Sequence, residues 1–366
     1  MSHTASARLV LVTLSVIFSL SCESPFDLSQ GGTPMGYVVV WPFDANPRLH
    51  LFYGKPPRIL RTAEGAGWRL TVARDSPTGD FLWIHGSPSE GWIAERLSRQ
   101  LEAKTTRSDL EVLATAPPDF YAIPAAFRAS FTCGGEYLAV YVHTLASRTG
   151  EPPVRGILLL TASDLSYHGF VPGSFSPGPM VAVHDECYFW ALGYPSSHSD
   201  SAYLYEVDPA RSALVDSVLL PQYSHLIGAL EDGRLLLSML DAVALYDVKA
   251  GRVHRAASFP FRVRVAGYLA ERGWLLVASG GTLHALDVET FGVIQSLAVT
   301  SDTTWQVIES MGALERSRYL FATSGRMTRD PVIGAHSVLH LVDLDTWEVV
   351  VSMELDGHGA VIGTQR

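Results

Sequence analysis

The sequence predicts an all-β protein, a single seven-bladed β-propeller built from four-stranded antiparallel blades. No long amphipathic helix is evident from residue 36 onward, and short strands rich in Val, Leu, Tyr, Phe and Trp recur between turn signals. In the first of two repeated signatures, a polar turn opens a strongly apolar strand. Its six copies lie at 79–84, 134–140, 185–190, 232–237, 272–277 and 316–321. Equivalent residues are 56, 51, 47, 39 and 45 positions apart, close to the period of about 40 to 50 residues of a propeller blade.

A second signature follows the first in the same phase. An alternating apolar strand ends in an acid, and after a short turn a second alternating strand begins. Its copies lie at 204–215, 245–253, 283–294 and 339–350. Asp and Thr suit such a turn because their side chains bond nearby backbone N–H groups. These segments therefore predict the hairpin of the two outer strands of each blade, and their polar residues are interpreted as structural.

The second signature resembles the YVTN-type and PQQ-type β-propeller repeats of exported bacterial proteins. The best fits are Asp287 with Thr290 and Asp343 with Thr346. The tryptophan usual in the quinone-type repeat is missing, because positions 295 and 351 are Gln and Val. This resemblance implies a fold rather than an activity.

The strands divide into seven units. Six complete blades are predicted at 66–116, 125–172, 179–221, 224–260, 263–299 and 304–355. Three strands at 37–41, 48–53 and 58–62 lack a partner, and a lone strand at 359–363 supplies it. Pairing the C-terminal strand with the N-terminal blade closes the ring and removes two open edges. Within 86–106, the spacing of Ile93, Leu97 and Leu101 raises the alternative of a short inserted helix.

The pattern of the N-terminal residues predicts an export signal. Arg8 precedes an apolar run at 9–20 that is too short to span a bilayer, so 1–21 is predicted to be a signal peptide. The run closes on Ser19-Leu20-Ser21-Cys22, which resembles a bacterial lipobox although Ser19 stands where Leu is usual. Cys22 is then the lipidation site, 22–35 the lipidated tether and 36–366 the propeller. The alternative is ordinary signal-peptidase cleavage nearby. The expected location is the periplasmic or cell-surface side of a bacterial membrane, with the protein held there by its lipid.

The net charge and the absence of known catalytic motifs limit the classes of function that the sequence supports. The 366 residues carry a formal charge of −10, which argues against nucleic acid as a partner. The sequence lacks the nucleophile elbow, P-loop, H-E-x-x-H and C-x-x-C motifs, so no catalytic residue is assigned. His336 with His340, and the cluster of His184, Asp185 and Glu186, are weak metal candidates. No metal and no cofactor are therefore predicted, and the domain is expected to be monomeric.

Two cysteines besides Cys22 agree with export. Cys133 and Cys187 both fall in the turn between the inner and second strands, on neighbouring blades. One interpretation is a disulfide between them, and the other is two free, largely buried thiols.

Loop lengths indicate one face of the ring for binding. Turns between second and third strands, and the connections between blades, share one side of a propeller, which we call the long-loop face. Long turns are predicted there at 86–92, 144–155, 194–201 and 324–336. Long loops on a rigid scaffold commonly bind ligands. The candidate ligand-binding residues on this face are Trp92, Phe120, Tyr121, Phe175, Tyr194, His198 and Tyr223. For Phe120 and Phe175 the alternative is that each fills a gap between blades.

Three functions remain open from the sequence. The leading hypothesis is a membrane-anchored binding or scaffold module with a protein or carbohydrate ligand on the long-loop face. The alternative is a propeller enzyme, such as a polysaccharide lyase, a lactonase or a quinone-dependent dehydrogenase, with its site at the central axis. A third is an assembly factor for outer-membrane proteins.

Overall fold

A computed structural model shows seven four-stranded antiparallel sheets arranged as a ring. It describes residues 35–42, 46–66, 69–74, 79–87, 91–114, 126–143, 155–173, 175–182, 187–193, 202–220, 224–230, 232–239, 241–259, 263, 265–300, 306–313, 318–326 and 336–362. The strands run β1 Met35–Trp41, β2 Arg48–Tyr53, β3 Arg58–Glu64, β4 Arg69–Arg74, β5 Phe81–Ser87, β6 Gly91–Leu97, β7 Ala103–Ser108, β8 Ala126–Thr132, β9 Tyr137–His143, β10 Arg155–Thr161, β11 Tyr167–Pro172, β12 Phe175–Ala182, β13 Phe189–Gly193 and β14 Ala202–Asp208. They continue with β15 Ala213–Leu220, β16 His225–Ala229, β17 Leu235–Met239, β18 Ala242–Asp247, β19 Arg252–Ser258, β20 Val265–Leu269, β21 Trp274–Ser279, β22 Thr282–Asp287, β23 Val293–Ala298, β24 Gln306–Ala313, β25 Tyr319–Arg326, β26 Val338–Asp343, β27 Glu348–Glu354 and β28 His358–Ile362.

The ring closes as predicted. Blade 1 has the order β28-β1-β2-β3, so the last strand of the chain is the inner strand of the first blade. Five residue pairs join β28 to β1, from Tyr37 with Ile362 to Trp41 with His358. Blades 2 to 7 are β4–β7, β8–β11, β12–β15, β16–β19, β20–β23 and β24–β27. The sequence prediction of a seven-bladed propeller is confirmed.

The core consists of one apolar cluster at each junction between neighbouring blades. The junction of blades 1 and 2, for example, buries Tyr37, Phe81 and Trp83, and the junction of blades 7 and 1 buries Val38 and Phe321. The same holds at the other five junctions. A strand in the middle of a blade therefore has neighbours on both faces, which explains the nearly continuous apolar runs of the sequence.

Every blade repeats one irregularity between its third and outer strands. In all seven sheets the register shifts by one residue at the same place, for example between Leu51 and Phe52 and between Ala285 and Leu286. Such a β-bulge bends and twists the outer strand, which makes an exposed edge a poorer template for pairing with another chain.

The hairpin turns follow the second signature. In blade 6 the Asp287 carboxylate accepts from the backbone N–H and the hydroxyl of Thr290, both at 2.7 Å. Phe291 then adopts a positive φ of 57° and buries its ring between blades 5 and 6. Turn residues with positive φ recur after the third strand of the other blades. The Asp and Thr of the signature are structural, as interpreted from the sequence.

One expectation within 86–106 is wrong. Ile93 and Leu97 lie in β6, and Leu101 lies in the turn after it with a positive φ of 61°. Ile93 and Leu97 are four residues apart, a separation that also places two residues on the same face of a strand. The single α-helix of the described residues, α1 Asp109–Leu113, comes later, after β7. Its capping box pairs Ser108 with Glu111.

Candidate functional site

Most of the predicted ligand-binding residues lie outside the described residues. These are Phe120, Tyr121, Tyr194, His198 and Tyr223. The lipidation site Cys22, the segments 1–21 and 22–34, and the cluster of His184, Asp185 and Glu186 also lie outside them.

Two predicted ligand-binding aromatics are buried instead of facing a ligand. Trp92 is 6% exposed and packs in the core between blades 2 and 3. The turn predicted at 86–92 is mostly strand, because β5 runs to Ser87 and β6 begins at Gly91. Phe175 is 3% exposed as the first residue of β12, and its ring meets the Tyr205 ring edge-on at 5.2 Å. Both therefore fill the core. The prediction for Trp92 is wrong, and for Phe175 the structure agrees with the alternative that it fills a gap between blades.

Cys187 is disulfide-bonded. It lies between β12 and β13, on the face opposite the long loops. The backbone of Cys133 begins the 3₁₀ turn after β8 in the neighbouring blade, and its side chain lies outside the described residues. The pairing of Cys133 with Cys187 therefore stays a prediction.

Three partly exposed side chains and a buried serine lie together where the ring closes, on the long-loop face. We call Trp41, Glu309, Ser337 and His358 the ring-closure cluster. Trp41 ends β1 and His358 begins β28, directly opposite it in the sheet. Glu309 comes from β24, the inner strand of blade 7, and Ser337 immediately precedes β26. Three strands and the residue before a fourth, all from blades 7 and 1, thus bring these side chains together.

The distances within the ring-closure cluster are short. The indole of Trp41 and the imidazole of His358 have centroids 5.7 Å apart and are tilted by 34°. A Glu309 carboxylate oxygen lies 3.5 Å from His358 Nδ1 and 3.4 Å from the Ser337 hydroxyl, which donates to it. The side chains of His358 and Glu309 are 51% and 27% exposed. The carboxylate and the two rings are therefore open to solvent on one side and held by protein on the other.

The backbone around the ring-closure cluster fixes its geometry. A Cβ on Gly325 would lie 2.5 Å from a Glu309 carboxylate oxygen, so the carboxylate occupies space that the glycine leaves free. Ser337 is fully buried, donates its backbone N–H to Gly357 O at 3.0 Å, and accepts the N–H of Gly359 on its hydroxyl at 3.0 Å. Gly357 has a φ of 128°, and a Cβ there would meet Trp41 O at 2.3 Å. The cluster is thus built on a rigid frame.

Chemically, the ring-closure cluster combines flat apolar surface with hydrogen-bonding groups. An indole offers a broad apolar face, a carboxylate accepts several hydrogen bonds, and an imidazole donates or accepts. Ligand sites with a few placed polar groups among aromatic side chains follow this pattern. Among the residues that the structure describes, no group of three or more His, Cys, Asp or Glu side chains converges as a metal site would require.

Two buried histidines, His50 and His340, and the partly exposed His284 have structural partners. His50, His284 and His340 occupy equivalent places on third strands, and each lies 2.8 Å from a hydroxyl of the outer strand, those of Thr62, Ser296 and Ser352. His340 also contacts the Ser324 hydroxyl at 2.8 Å, and His336 Nδ1 bonds Leu355 O at 3.2 Å. Burial lowers the pKa of His340 to about 4 and also lowers the pKa values of His50 and His284. His336 and His340, considered as a metal pair from the sequence, thus each have protein partners.

The sequence alone missed the ring-closure cluster. Trp41 and His358 could have been found, because the predicted pairing of 37–41 with 359–363 already places their ends together. Glu309 carries no such signal, since nothing in the sequence shows which of 37 acidic residues converge.

No helix in the described part of the chain is long and apolar enough to cross a membrane.

Comparison with known proteins supports the fold. The sequence matches no protein-family model and no curated protein. Among solved structures, it is similar to the dihydro-heme d1 dehydrogenase NirN in complex with DHE, with a TM-score of 0.52 and 13% identity over 90% of this chain and 75% of that one. It is also similar to apo AztD from Citrobacter koseri, with a TM-score of 0.51 and 14% identity over 90% of this chain and 98% of that one. At such identities the likeness concerns the β-propeller fold alone.

Proposed function

We propose that this protein is an exported, lipid-anchored binding module that holds a carbohydrate ligand on its long-loop face. The observation that carries the proposal is the ring-closure cluster, with its half-buried indole, imidazole and carboxylate on a rigid frame. The lipobox-like segment ending in Cys22 supports the anchor and the location outside the cytoplasm.

A sugar ring matches the ring-closure cluster in its chemistry. The C–H face of a pyranose is apolar and flat, so it packs on an indole such as Trp41. Sugar hydroxyls would donate to the Glu309 carboxylate, which has one oxygen near both Ser337 and His358. His358 would contribute a second hydrogen bond at the solvent-facing side. An ordered frame keeps the entropic cost of binding low, because few side chains need to be immobilised.

The binding test uses a glycan array followed by titration calorimetry with the retained glycan. Glu309→Gln keeps the shape of the side chain and removes its charge, and His358→Ala removes the imidazole. Each is expected to weaken binding roughly tenfold, the loss of about one charge-assisted hydrogen bond.

The matched control is His225→Ala. His225 begins the inner strand β16 of blade 5 on the same face and is exposed, as His358 is at the start of β28. This variant should bind the glycan as the wild type does. The proposal is wrong if no glycan is retained, or if all three variants bind equally well.

The lipid anchor on Cys22 is tested separately from ligand binding. Mass spectrometry of the N-terminal peptide from the natural membrane should show a diacylglycerated Cys22, and Cys22→Ser should release the protein from the membrane fraction. An unmodified N-terminus elsewhere in the region would show ordinary cleavage instead.

A further inference from the structure

The outer edge of blade 1 exposes a mixture of bases and large apolar side chains. We call Lys55, Arg58, Ile59, Leu60 and Arg61 the blade 1 edge. All five are exposed, and the two apolar residues are exposed to 52% and 43%. They lie in the turn before β3 and in its first half. The register shift opposite Leu51 and Phe52 makes Leu60 the extra residue of the bulge, so that it stands out from the edge.

The charge of the blade 1 edge is largely uncompensated. Within the described part of the chain neither Lys55 nor Arg58 has an ion-pair partner, and Arg61 lies 3.1 Å from Glu102. The residue opposite Arg58 in the sheet is Tyr53, at the position that holds an Asp in the second signature of blades 5 to 7. A cationic surface thus remains where the repeat would otherwise place a carboxylate.

Blade 5 provides an internal comparison. Its outer strand β19 also exposes Arg252, Val253 and Arg255. There, however, Arg252 lies directly opposite Asp247, and Arg255 donates to the backbone carbonyl of Glu289. Arg255 therefore has a hydrogen-bond partner within the protein and Arg252 has an acid opposite it, whereas Lys55 and Arg58 of blade 1 have neither within the described residues.

The chain enters the propeller at the same blade. β1 begins at Met35, and blade 1 contains both β1 and the exposed strand β3. The twelve residues between Cys22 and Met35 can span at most about 40 Å. A lipid on Cys22 would therefore keep blade 1 close to the bilayer.

We infer that the blade 1 edge docks onto an anionic membrane surface and orients the ring; this inference rests on the lipid anchor of the proposed function. Lys55 and Arg58 face the acidic headgroups, and Ile59 and Leu60 enter the interface between headgroups and acyl chains. The overall charge of −10 opposes this approach, but screening over about 8 Å at physiological salt leaves the nearest charges dominant. In the lipidated protein the acyl chains supply most of the attachment, and the edge adds a weaker contact that orients the ring. The ring-closure cluster, on blades 7 and 1, is then presented near the membrane.

Hydrogen exchange on the full lipidated chain tests the docking. The protein is reconstituted in vesicles of phosphatidylcholine, either alone or mixed with phosphatidylglycerol, at low and high salt. Exchange in the peptide covering 58–64 should slow on the phosphatidylglycerol vesicles at low salt only. Exchange in 252–258 of blade 5 should be the same in all four conditions.

Matched double variants supply the control. Lys55→Glu with Arg58→Glu should shift the docking equilibrium by roughly tenfold or more and abolish the protection, because each base near an anionic surface contributes to its attraction. Lys249→Glu with Arg252→Glu, the corresponding change in blade 5, should leave the protection of 58–64 intact. Equal protection of both peptides, protection without anionic lipid, or none at all would each overturn the docking.

Whether Cys22 carries a lipid is determined separately in the same samples, from the mass of the N-terminal peptide. If Cys22 carries no lipid, flotation of the chain with phosphatidylglycerol vesicles replaces the exchange experiment. Weaker flotation of the blade 1 variant than of the blade 5 variant would still support docking, and equal flotation would reject it.

Discussion

Among single residues, His340 shows how a polar side chain is accommodated inside a blade. It is 4% exposed and lies 2.8 Å from the hydroxyls of both Ser324 and Ser352. Hydroxyl groups can donate to or accept from a neutral imidazole without any charge being buried. Because burial favours the neutral ring, it lowers the pKa of His340 to about 4.

This pKa predicts that the protein loses stability as the pH falls. In the unfolded chain a histidine has a pKa of about 6.5, so between pH 6.5 and 4 the unfolded state binds a proton that the folded state does not. The contribution of His340 is fully present above pH 6.5 and decreases through that window, by up to about 3 kcal/mol. Denaturant unfolding measured at intervals from pH 7.5 to 4 should show the decline.

A variant separates His340 from the other titrating groups. His340→Gln should flatten the decline, although it lowers stability at neutral pH. The exposed His225, changed to Gln, should leave the slope as it is in the wild type. A His340→Gln curve parallel to the wild type would contradict the assignment, as would an NMR titration of His340 with a pKa near 6.5.

Contacts within a repeated sequence motif were predictable from the sequence. Contacts between residues that are distant in the sequence were not. The bonds from Thr290 to Asp287 follow from a local pattern four residues long, and the structure contains them. Trp92 was expected on a binding face because it falls in an apparent loop, and Phe175 was expected either there or in a gap between blades. Their burial depends on where a strand ends and on what the neighbouring blade presents, which the local sequence does not encode.

At the scale of the structural element, the turn after the third strand combines a strained backbone with a buried side chain in four of the seven blades, at Leu101, Leu165, Phe291 and Trp347. Phe291 has a φ of 57° and is 4% exposed, and its N–H donates to Asp287 O at 2.7 Å. A left-handed conformation costs an L-residue about 1 to 2 kcal/mol. Burial of the Phe291 ring between blades 5 and 6 offsets the cost of the left-handed backbone. The turn therefore also fills the junction between these blades.

This arrangement predicts an unusual order of stability at position 291. Phe291→Ala should destabilise the protein by about 3 kcal/mol, since it leaves a cavity and keeps the backbone strain. Phe291→Gly leaves a similar cavity but removes the strain, and should be about 1 kcal/mol more stable than the alanine variant. Urea unfolding of the two variants measures the difference.

Phe189 provides the control for position 291. It is fully buried in the middle of a blade, in strand β13, where φ is negative. There glycine should be less stable than alanine by about 0.5 to 1 kcal/mol, because it loses more backbone freedom on folding. The same order at both positions would show that backbone strain at Phe291 is negligible.

For the whole molecule, the seven junction cores and the contacts between blades distribute stability around the ring. On the face opposite the long loops, side chains of one blade reach the turn of the next. Arg96 donates to Ala162 O at 2.9 Å, Arg234 pairs with Glu289 at 2.6 Å, and Arg272 pairs with Asp345 at 2.7 Å. The number of blades and the closure of the ring were predictable, because both depend on repeats that the sequence displays. The pairs between blades were not, since their partners are 55 to 73 residues apart and this separation varies from blade to blade.

The closure of the ring predicts a sharp dependence on the last strand. Removal of residues 357–366 deletes β28, which exposes the edge of β1 and uncovers Val38, Val40 and Phe321 at the junction of blades 7 and 1. This truncated chain should lose cooperative thermal unfolding and form aggregates on size-exclusion chromatography. A synthetic peptide of residues 356–366, added during refolding, should restore the monomer, because β28 contributes through pairing and packing rather than through its covalent connection. Truncation of 363–366 alone spares β28 and should leave the melting temperature within about a degree of the wild type. If the chain lacking β28 unfolds like the wild type, then the ring does not depend on its closing strand, and the seven junctions must each be stable without their neighbours.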